Sequence, residues 1–288
     1  TKEFINNNFL NIKKTLPDQK VSIEDLNLDM FRDYDYRSTG PAFKPAMGFY
    51  FGIVWAEMAL AKGIAGNKKA LIARDARKIE PELVEAISDA FRLMGLDVIY
   101  VAAEGPNAVT SYSWAVQEYK PLISVFITAS HVSRPKEDIV RGFKVAILDR
   151  QGGSVQSLTT KEIKDNSQKR IKELLKDPGQ IEGMAADKSG KRINVNIDEN
   201  CVRFNALIGR VAANKHSLFD LETKIGNSEN PLEILAELEK EYADLKPLTG
   251  IKVVVEASNT PSRLAADVFE HLGAEVVLLN GEIKEIDG

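Results

Sequence analysis

Leu122-Ile123-Ser124-Val125-Phe126-Ile127 is a run of β-branched and apolar residues that gives way to the small-residue turn Thr128-Ala129-Ser130-His131. An apolar run of this kind reads as a buried strand of a parallel sheet, and so commits the chain to an α/β layout. The turn presents a hydroxyl and an imidazole at the carboxyl end of that strand, where open α/β sheets bind their ligands. One loop later, Arg141-Gly142-Phe143-Lys144-Val145 adds an ammonium. Ser130 is therefore a candidate nucleophile, with His131 adjacent and Lys144 placed to hold an anion. Taken alone, a Ser-His pair reads as a turn or N-cap, so other features have to decide.

The rest of the chain alternates between helix and strand patterns. Pro45 to Ala65 is helical, with Phe51, Val54, Trp55, Met58 and Ala59 on one face and Gly66 as its stop. Lys69 to Arg77 is a short strand running into a charged loop, and Pro81 to Met94 is an amphipathic helix closed by Gly95. A strand at Asp97 to Val101, a helix at Asn107 to Glu118, the strand before Ser130 and a strand at Phe143 to Leu148 follow. That succession predicts a mixed sheet sandwiched by helices. Thr159 to Asp177 is helical, Pro178 to Asn200 reads as a linker or excursion, and Glu199 to Lys215 and Pro231 to Asp244 are helical again. Ile251 to Val255 opens a last strand-helix-strand unit that ends on Glu275 to Leu279. Phe91, Gly95 and Val98 are spaced as Phe269, Gly273 and Val276 are, an internal echo that any glycine-capped βαβ unit also produces.

Composition excludes several classes. The 38 basic residues fall short of the 42 acidic ones, a net charge of −4, which argues against a nucleic-acid surface as the main business. The single cysteine, Cys201, leaves neither a disulfide framework nor a cysteine-based zinc site. No apolar run approaches the roughly 18 residues of a membrane span, and no signal peptide opens the chain, so the cytoplasm is the expected location. Dinucleotide and ATP loops of the glycine-rich types are absent, as is Gly-x-Ser-x-Gly.

Four short stretches, in this order, resemble the α-D-phosphohexomutases, the phosphoglucomutase and phosphomannomutase family. Phe31-Arg32-Asp33-Tyr34-Asp35-Tyr36-Arg37-Ser38 resembles its opening Phe-Arg-x-Tyr-Asp-Ile-Arg-Gly, failing at Tyr36 and Ser38. Arg74-Asp75-Ala76-Arg77 is similar to Gly-Arg-Asp-Thr-Arg without its first residue and its threonine. Thr128-Ala129-Ser130-His131 matches the start of the family's Thr-Ala-Ser-His-Asn-Pro loop, with Val132-Ser133 in place of Asn-Pro and a longer loop over Arg134 to Val140. Gly142-Phe143-Lys144 matches Asn-Gly-Phe-Lys, with Arg141 in place of Asn. The resemblance covers residues 31 to 150 well and 250 to 288 loosely.

The resemblance implies repeated phosphohexomutase-type α/β domains, the first complete and the second partial. On that division residues 1–30 are an N-terminal arm, 31–180 the first domain with the phosphoserine loop, and 181–288 a linker and an incomplete second domain. It implies interconversion of hexose 1-phosphate and 6-phosphate through a phosphoserine at Ser130 and a hexose bisphosphate. Arg37 and Lys144 would be catalytic and hold the phosphate, His131 would orient the loop, and Tyr34 would line the substrate site. Mg2+ would bind phosphorylated Ser130, and hexose 1,6-bisphosphate would act as activator. The family's Asp-Gly-Asp-Gly-Asp-Arg metal loop is not in the sequence, which is expected to be an N-terminal fragment with little activity by itself. Asp33 and Asp35 carry no specific metal signal. The expected partner is a small hexose phosphate, with no nucleic acid and no membrane; which hexose and which oligomeric state are left open. Two rival readings are a non-catalytic sugar-phosphate-binding protein on a degenerate mutase fold, and an unrelated hydrolase or phosphatase using Ser130 and His131.

Overall fold

The computed structural model describes residues 36–38, 44–62, 66–75, 81–101, 106–129, 141–148, 154–155, 161–177, 179–184, 190–213, 231–258 and 261–282. The chain divides into two compact units. The first holds β1 (Tyr36–Ser38), α1 (Pro45–Lys62), β2 (Lys69–Arg74), α2 (Pro81–Leu93), β3 (Asp97–Tyr100), β4 (Ile123–Ala129), β5 (Arg141–Leu148), β6 (Ser154–Val155), α4 (Lys161–Lys176), α5 (Gln180–Met184) and β7 (Arg192–Asn194). The second holds α3 (Val109–Tyr119) apart from its last residue, α6 (Ile197–Ala213), α7 (Pro231–Glu241), β8 (Lys252–Glu256), α8 (Leu264–His271) and β9 (Glu275–Leu279).

In the first unit the described strands form one mixed sheet in the order β1-β5-β4-β2-β3-β7, with β6 paired to the far end of β5. The β2 pairs with β3 and β4, and the β3 pair with β7, are parallel. Those of β5 with β1, β4 and β6 are antiparallel. Parallel strands need cover on both faces, and the side chains agree. Ala70, Ile72, Val98, Tyr100, Ile123, Val125 and Ile127 join one apolar core, while Leu71, Ala73, Ile99 and Phe126, alternating with them, are buried too.

Helix α1 begins on Pro45, whose fixed φ suits a first turn and whose missing N–H is no loss there. The sequence predicts one apolar face for it. Instead Met47, Phe51, Ile53, Val54, Trp55 and Ala56 are all fully buried, and they circle the helix. A helix apolar all round belongs inside a core, and α1 is covered by α2, α4 and β4. Its approach to α2 is close because Gly48 and Gly52 lie on the contact. A Cβ at Gly52 would stand 2.6 Å from that of Ala90, and one at Gly48 2.5 Å from Leu83 Cδ1. Across α1 and α4, Arg170 Nε donates to Glu57 Oε2 at 2.9 Å.

The stretch expected as a linker, Pro178 to Asn200, contains α5, β7 and the first turn of α6. Hydrophobic periodicity could not reveal β7, because all three of its residues are exposed. The strand is held instead by polar contacts. Arg192 Nη1 meets Glu85 Oε2 at 2.8 Å, its guanidinium lies 3.7 Å from the Tyr100 ring centre, and Tyr100 Oη donates to Glu85 Oε1 at 2.9 Å. Just ahead of it, Gly190 runs against the Leu96 carbonyl with no room for a Cβ.

The second unit carries a parallel β8-α8-β9 unit. Leu207 and Val211 of α6 pack with Leu238 of α7 and Tyr242 just after it, and Arg203 Nε bonds Glu239 Oε1 at 3.0 Å. Arg210 Nη2 and Lys246 Nζ both donate to the His271 carbonyl, at 2.8 and 3.0 Å, placing cations where the α8 dipole is negative. The expected echo recurs as geometry. Gly95 and Gly273 have φ of 83° and 92°. In each turn the glycine N–H bonds three residues back and the next N–H five residues back, to Phe91 and to Phe269. That is the Schellman arrangement, which needs a left-handed residue after the helix. Among the described residues no helix is long and apolar enough to cross a membrane.

Candidate functional site

The motifs singled out in the sequence converge on one row of the sheet. In β1 and β5, Arg37 pairs with Gly142 and Ser38 with Arg141. In β5 and β4, Gly142 pairs with Thr128, Arg141 with Ala129 and Lys144 with Phe126. In β2 and β4, Arg74 pairs with Ile127, and the Asp75 N–H donates to the Ile127 carbonyl at 3.0 Å. Arg37, Gly142 and Thr128 therefore lie side by side across three neighbouring strands, with Asp75, the residue after β2, next in the row. The row is at the carboxyl ends of β2 and β4, the edge where α/β sheets gather ligand residues.

Two boundaries differ from expectation, both because of this pairing. The turn expected at Thr128 starts later, since Thr128 and Ala129 still pair with β5, and β5 starts at Arg141, two residues before the predicted Phe143. Ser130 thus follows directly on the last residue of β4. Tyr34, Ser130, His131, Arg77 and the N-terminal arm lie outside the described residues. Arg37 and Lys144 are placed by their backbones in β1 and β5, with their side chains outside the description. Register thus brings the Arg37, Asp75, Thr128 and Gly142 positions together, with Lys144 two residues further along β5.

At the end of the row, Thr128 Oγ1 donates to Asp75 Oδ2 at 2.5 Å, a short charge-assisted hydrogen bond between two of the motifs. Asp75 stood out in the sequence as part of a short motif, but its partner could not be read from spacing, because Thr128 is 53 residues away in the chain. Arg74 is buried, and its carbonyl accepts from the Asn107 N–H at 2.7 Å. Further along, burial and then the neighbouring Glu85 carboxylate push the Tyr100 hydroxyl well above its ordinary range, so Tyr100 stays a proton donor to Glu85.

Among the described residues no three His, Cys, Asp or Glu side chains converge as a metal-ion group. These residues by themselves do not fit a divalent-cation cage, which calls for several oxygen ligands.

The fold and this row define an α/β protein whose ligand edge is assembled from four separate stretches of chain. The model of the phosphoglucomutase/phosphomannomutase alpha/beta/alpha domain I matches residues 29–173, just over half of the sequence. The chain belongs to the phosphoglucomutase/phosphomannomutase family. Among solved structures, a phosphoglucomutase/phosphomannomutase family protein from Burkholderia thailandensis is 20% identical with a TM-score of 0.54, over 90% of this chain and 45% of that one. A protein named as a candidate phosphomannomutase from Thermus thermophilus is 17% identical with a TM-score of 0.52, over 88% of this chain and 46% of that one. At these identities the likeness is one of fold, and the chain spans less than half the length of either protein. No curated protein matches the chain.

Proposed function

We propose that this chain carries the phosphoserine half of a phosphohexomutase, interconverting hexose 1-phosphate and 6-phosphate. The observation that carries the reading is the register row, in which Arg37 pairs with Gly142 and Gly142 with Thr128, the residue two positions before Ser130 in the chain. In the proposed cycle, phosphorylated Ser130 gives its phosphoryl group to a substrate hydroxyl. The Ser130 Oγ–P bond breaks, a new P–O bond forms on the sugar, the sugar hydroxyl proton passes to a base, and the leaving Ser130 Oγ takes up a proton to become a free hydroxyl. The hexose bisphosphate then returns its other phosphoryl group to Ser130. Such transfer rests on positioning and on stabilising charge at the equatorial oxygens. Arg37 is the fork for those oxygens, Lys144 a cation and proton carrier, His131 the group that orients Ser130, and Tyr34 a wall of the substrate site. Mg2+ held by phosphorylated Ser130 belongs to the proposal through the family resemblance, as does hexose 1,6-bisphosphate as activator; the ion would neutralise phosphate charge. Cytoplasmic location, and a repeat of the first domain's plan in the second unit, are parts of the same proposal.

A second reading is favoured by Val132-Ser133, Arg141 and Ser38, the positions that depart from the family pattern: a binding protein that holds a sugar phosphate without turning it over. The intact mass of the full-length native protein, with peptide mapping, separates the two. A phosphate on Ser130 that disappears on adding a hexose phosphate is the expected result. A Ser130 that is unmodified, and that a hexose bisphosphate cannot charge, would sink the mutase reading and leave the binding one.

A further inference from the structure

We infer that Asp75 is a positioning residue for the proposed phosphoryl transfer, acting through the Thr128 hydroxyl; this rests on the reading above. The two sides of β4 are held differently at its carboxyl end. On the β5 side, backbone pairing runs to the last residues, Thr128 with Gly142 and Ala129 with Arg141. On the β2 side the ladder stops at Arg74 and Ile127. Beyond that point Asp75 takes over. Its N–H grips the Ile127 carbonyl at 3.0 Å, and its carboxylate accepts the Thr128 hydroxyl at 2.5 Å. One residue thereby extends the hold of β2 from residue 127 to residue 128. Gly142, opposite Thr128, brings no side chain to that contact.

A strand end gripped on one side only is free to fray and twist, whereas one gripped on both sides has a single direction. Ser130 is the second residue after Thr128 in the chain, so a change in the direction of β4 at Thr128 is expected to be felt at the proposed nucleophile. In-line phosphoryl transfer tolerates little error in that position, and a displacement of about 1 Å can lower a rate ~100-fold. Asp75 touches neither substrate nor phosphate in this account. Its role is to hold Thr128.

The test uses the full-length protein with Asp75→Ala, Asp75→Asn, Thr128→Val, Thr128→Ser and the Asp75→Ala/Thr128→Val pair. Amide exchange at Thr128 and Ala129 is read first, because it needs no activity. Exchange faster by about tenfold or more in Asp75→Ala and Thr128→Val, with Thr128→Ser like wild type, is expected if the hydrogen bond fixes the strand end. For turnover, kcat is expected to fall ~10–100-fold in Asp75→Ala and in Thr128→Val while KM stays within about threefold. The pair should be no worse than either single change, and Thr128→Ser should restore kcat. Asp75→Asn keeps an acceptor without the charge and should fall between wild type and Asp75→Ala. Unchanged exchange and kcat in both disrupted variants would overturn the inference, as would equal losses with Thr128→Ser and Thr128→Val. A wild-type protein that neither carries phosphate on Ser130 nor turns over would remove the mutase reading and, with it, Asp75's part in phosphoryl transfer. The exchange result would still decide whether Asp75 holds the end of β4.

Discussion

Glu256, at the end of β8, shows how one side chain in this chain can be tied to a measurable pH response. Its carboxylate accepts two bonds from the Asn280 amide, at 3.0 and 2.9 Å, and one from the Ser258 N–H at 2.7 Å. The Asn280 bonds first, and then the Ser258 backbone bond, hold its pKa below the ordinary range. A carboxylate lowered on folding contributes stability above its unfolded pKa of about 4.3, and that contribution disappears as the pH falls through the lower folded value. Glu256→Gln should therefore lower the melting temperature at pH 7, with a gap to wild type that closes below about pH 4. A gap of the same size at pH 3 would count against this. Nothing in the sequence marks Glu256, because its partner Asn280 lies on the far side of a helix and a strand. Arg37 and Lys144, by contrast, were singled out in the sequence because each sits in a short ordered pattern, but the sequence could not supply their register, which depends on which strands pair.

At the scale of elements, apolar pattern and turn chemistry carried the reading where side chains face a core, and failed where they do not. The β2-α2-β3 and β8-α8-β9 units were legible because Gly95 and Gly273 mark their turns and apolar runs mark their strands. Strand β7 was not, because Arg192–Asn194 buries no side chain and is kept by a guanidinium on Tyr100 and Glu85. Helix α1 was legible as a helix but not as one whose buried residues circle it between Met47 and Ala56, since its two glycines hide the face that meets α2. That face makes a ranked prediction possible. At Gly52 an added methyl would meet Ala90 Cβ at 2.6 Å and the Ile87 carbonyl oxygen at 3.1 Å, contacts that cannot swing away. At Gly48 the closest contact is the end of the flexible Leu83 side chain, with the backbone no nearer than 3.4 Å. Gly52→Ala should cost about 1–3 kcal/mol in urea unfolding, as overpacked cores do, and Gly48→Ala clearly less. Equal costs, or a stabilising Gly52→Ala, would show that α1 and α2 do not cross at these residues.

At the scale of the whole molecule, the larger apolar core among the described residues lies in the first unit. There the sheet has a core that includes Trp55, Phe51, Phe91, Ile72 and Val125, and strand β2 is buried at every residue after its first. The described sheet of the second unit has two strands, and each unit can be judged by its own exposure. Val254 is 61% exposed and Leu279 45%, although a strand reading Val-Val-Val is the pattern of one covered on both faces. Two strands with a helix against them and an exposed valine face have less cover than the first unit's sheet, whose strands β2 and β4 are buried on both faces, and so are expected to open more readily. Hydrogen exchange should therefore separate the two sheets in the same sample. Amides of Leu71, Ile72, Val125 and Phe126 are expected to exchange last, through global unfolding of their unit, and those of Val254, Val255 and Val277 at least ~100-fold faster through local opening. A binding partner or a further piece of chain that covers Val254 and Leu279 would slow the second group selectively and leave the first as it is. If the β8 and β9 amides in the isolated 288-residue chain prove as protected as those of β2 and β4, the exposed valine face is not the weak point that its burial implies.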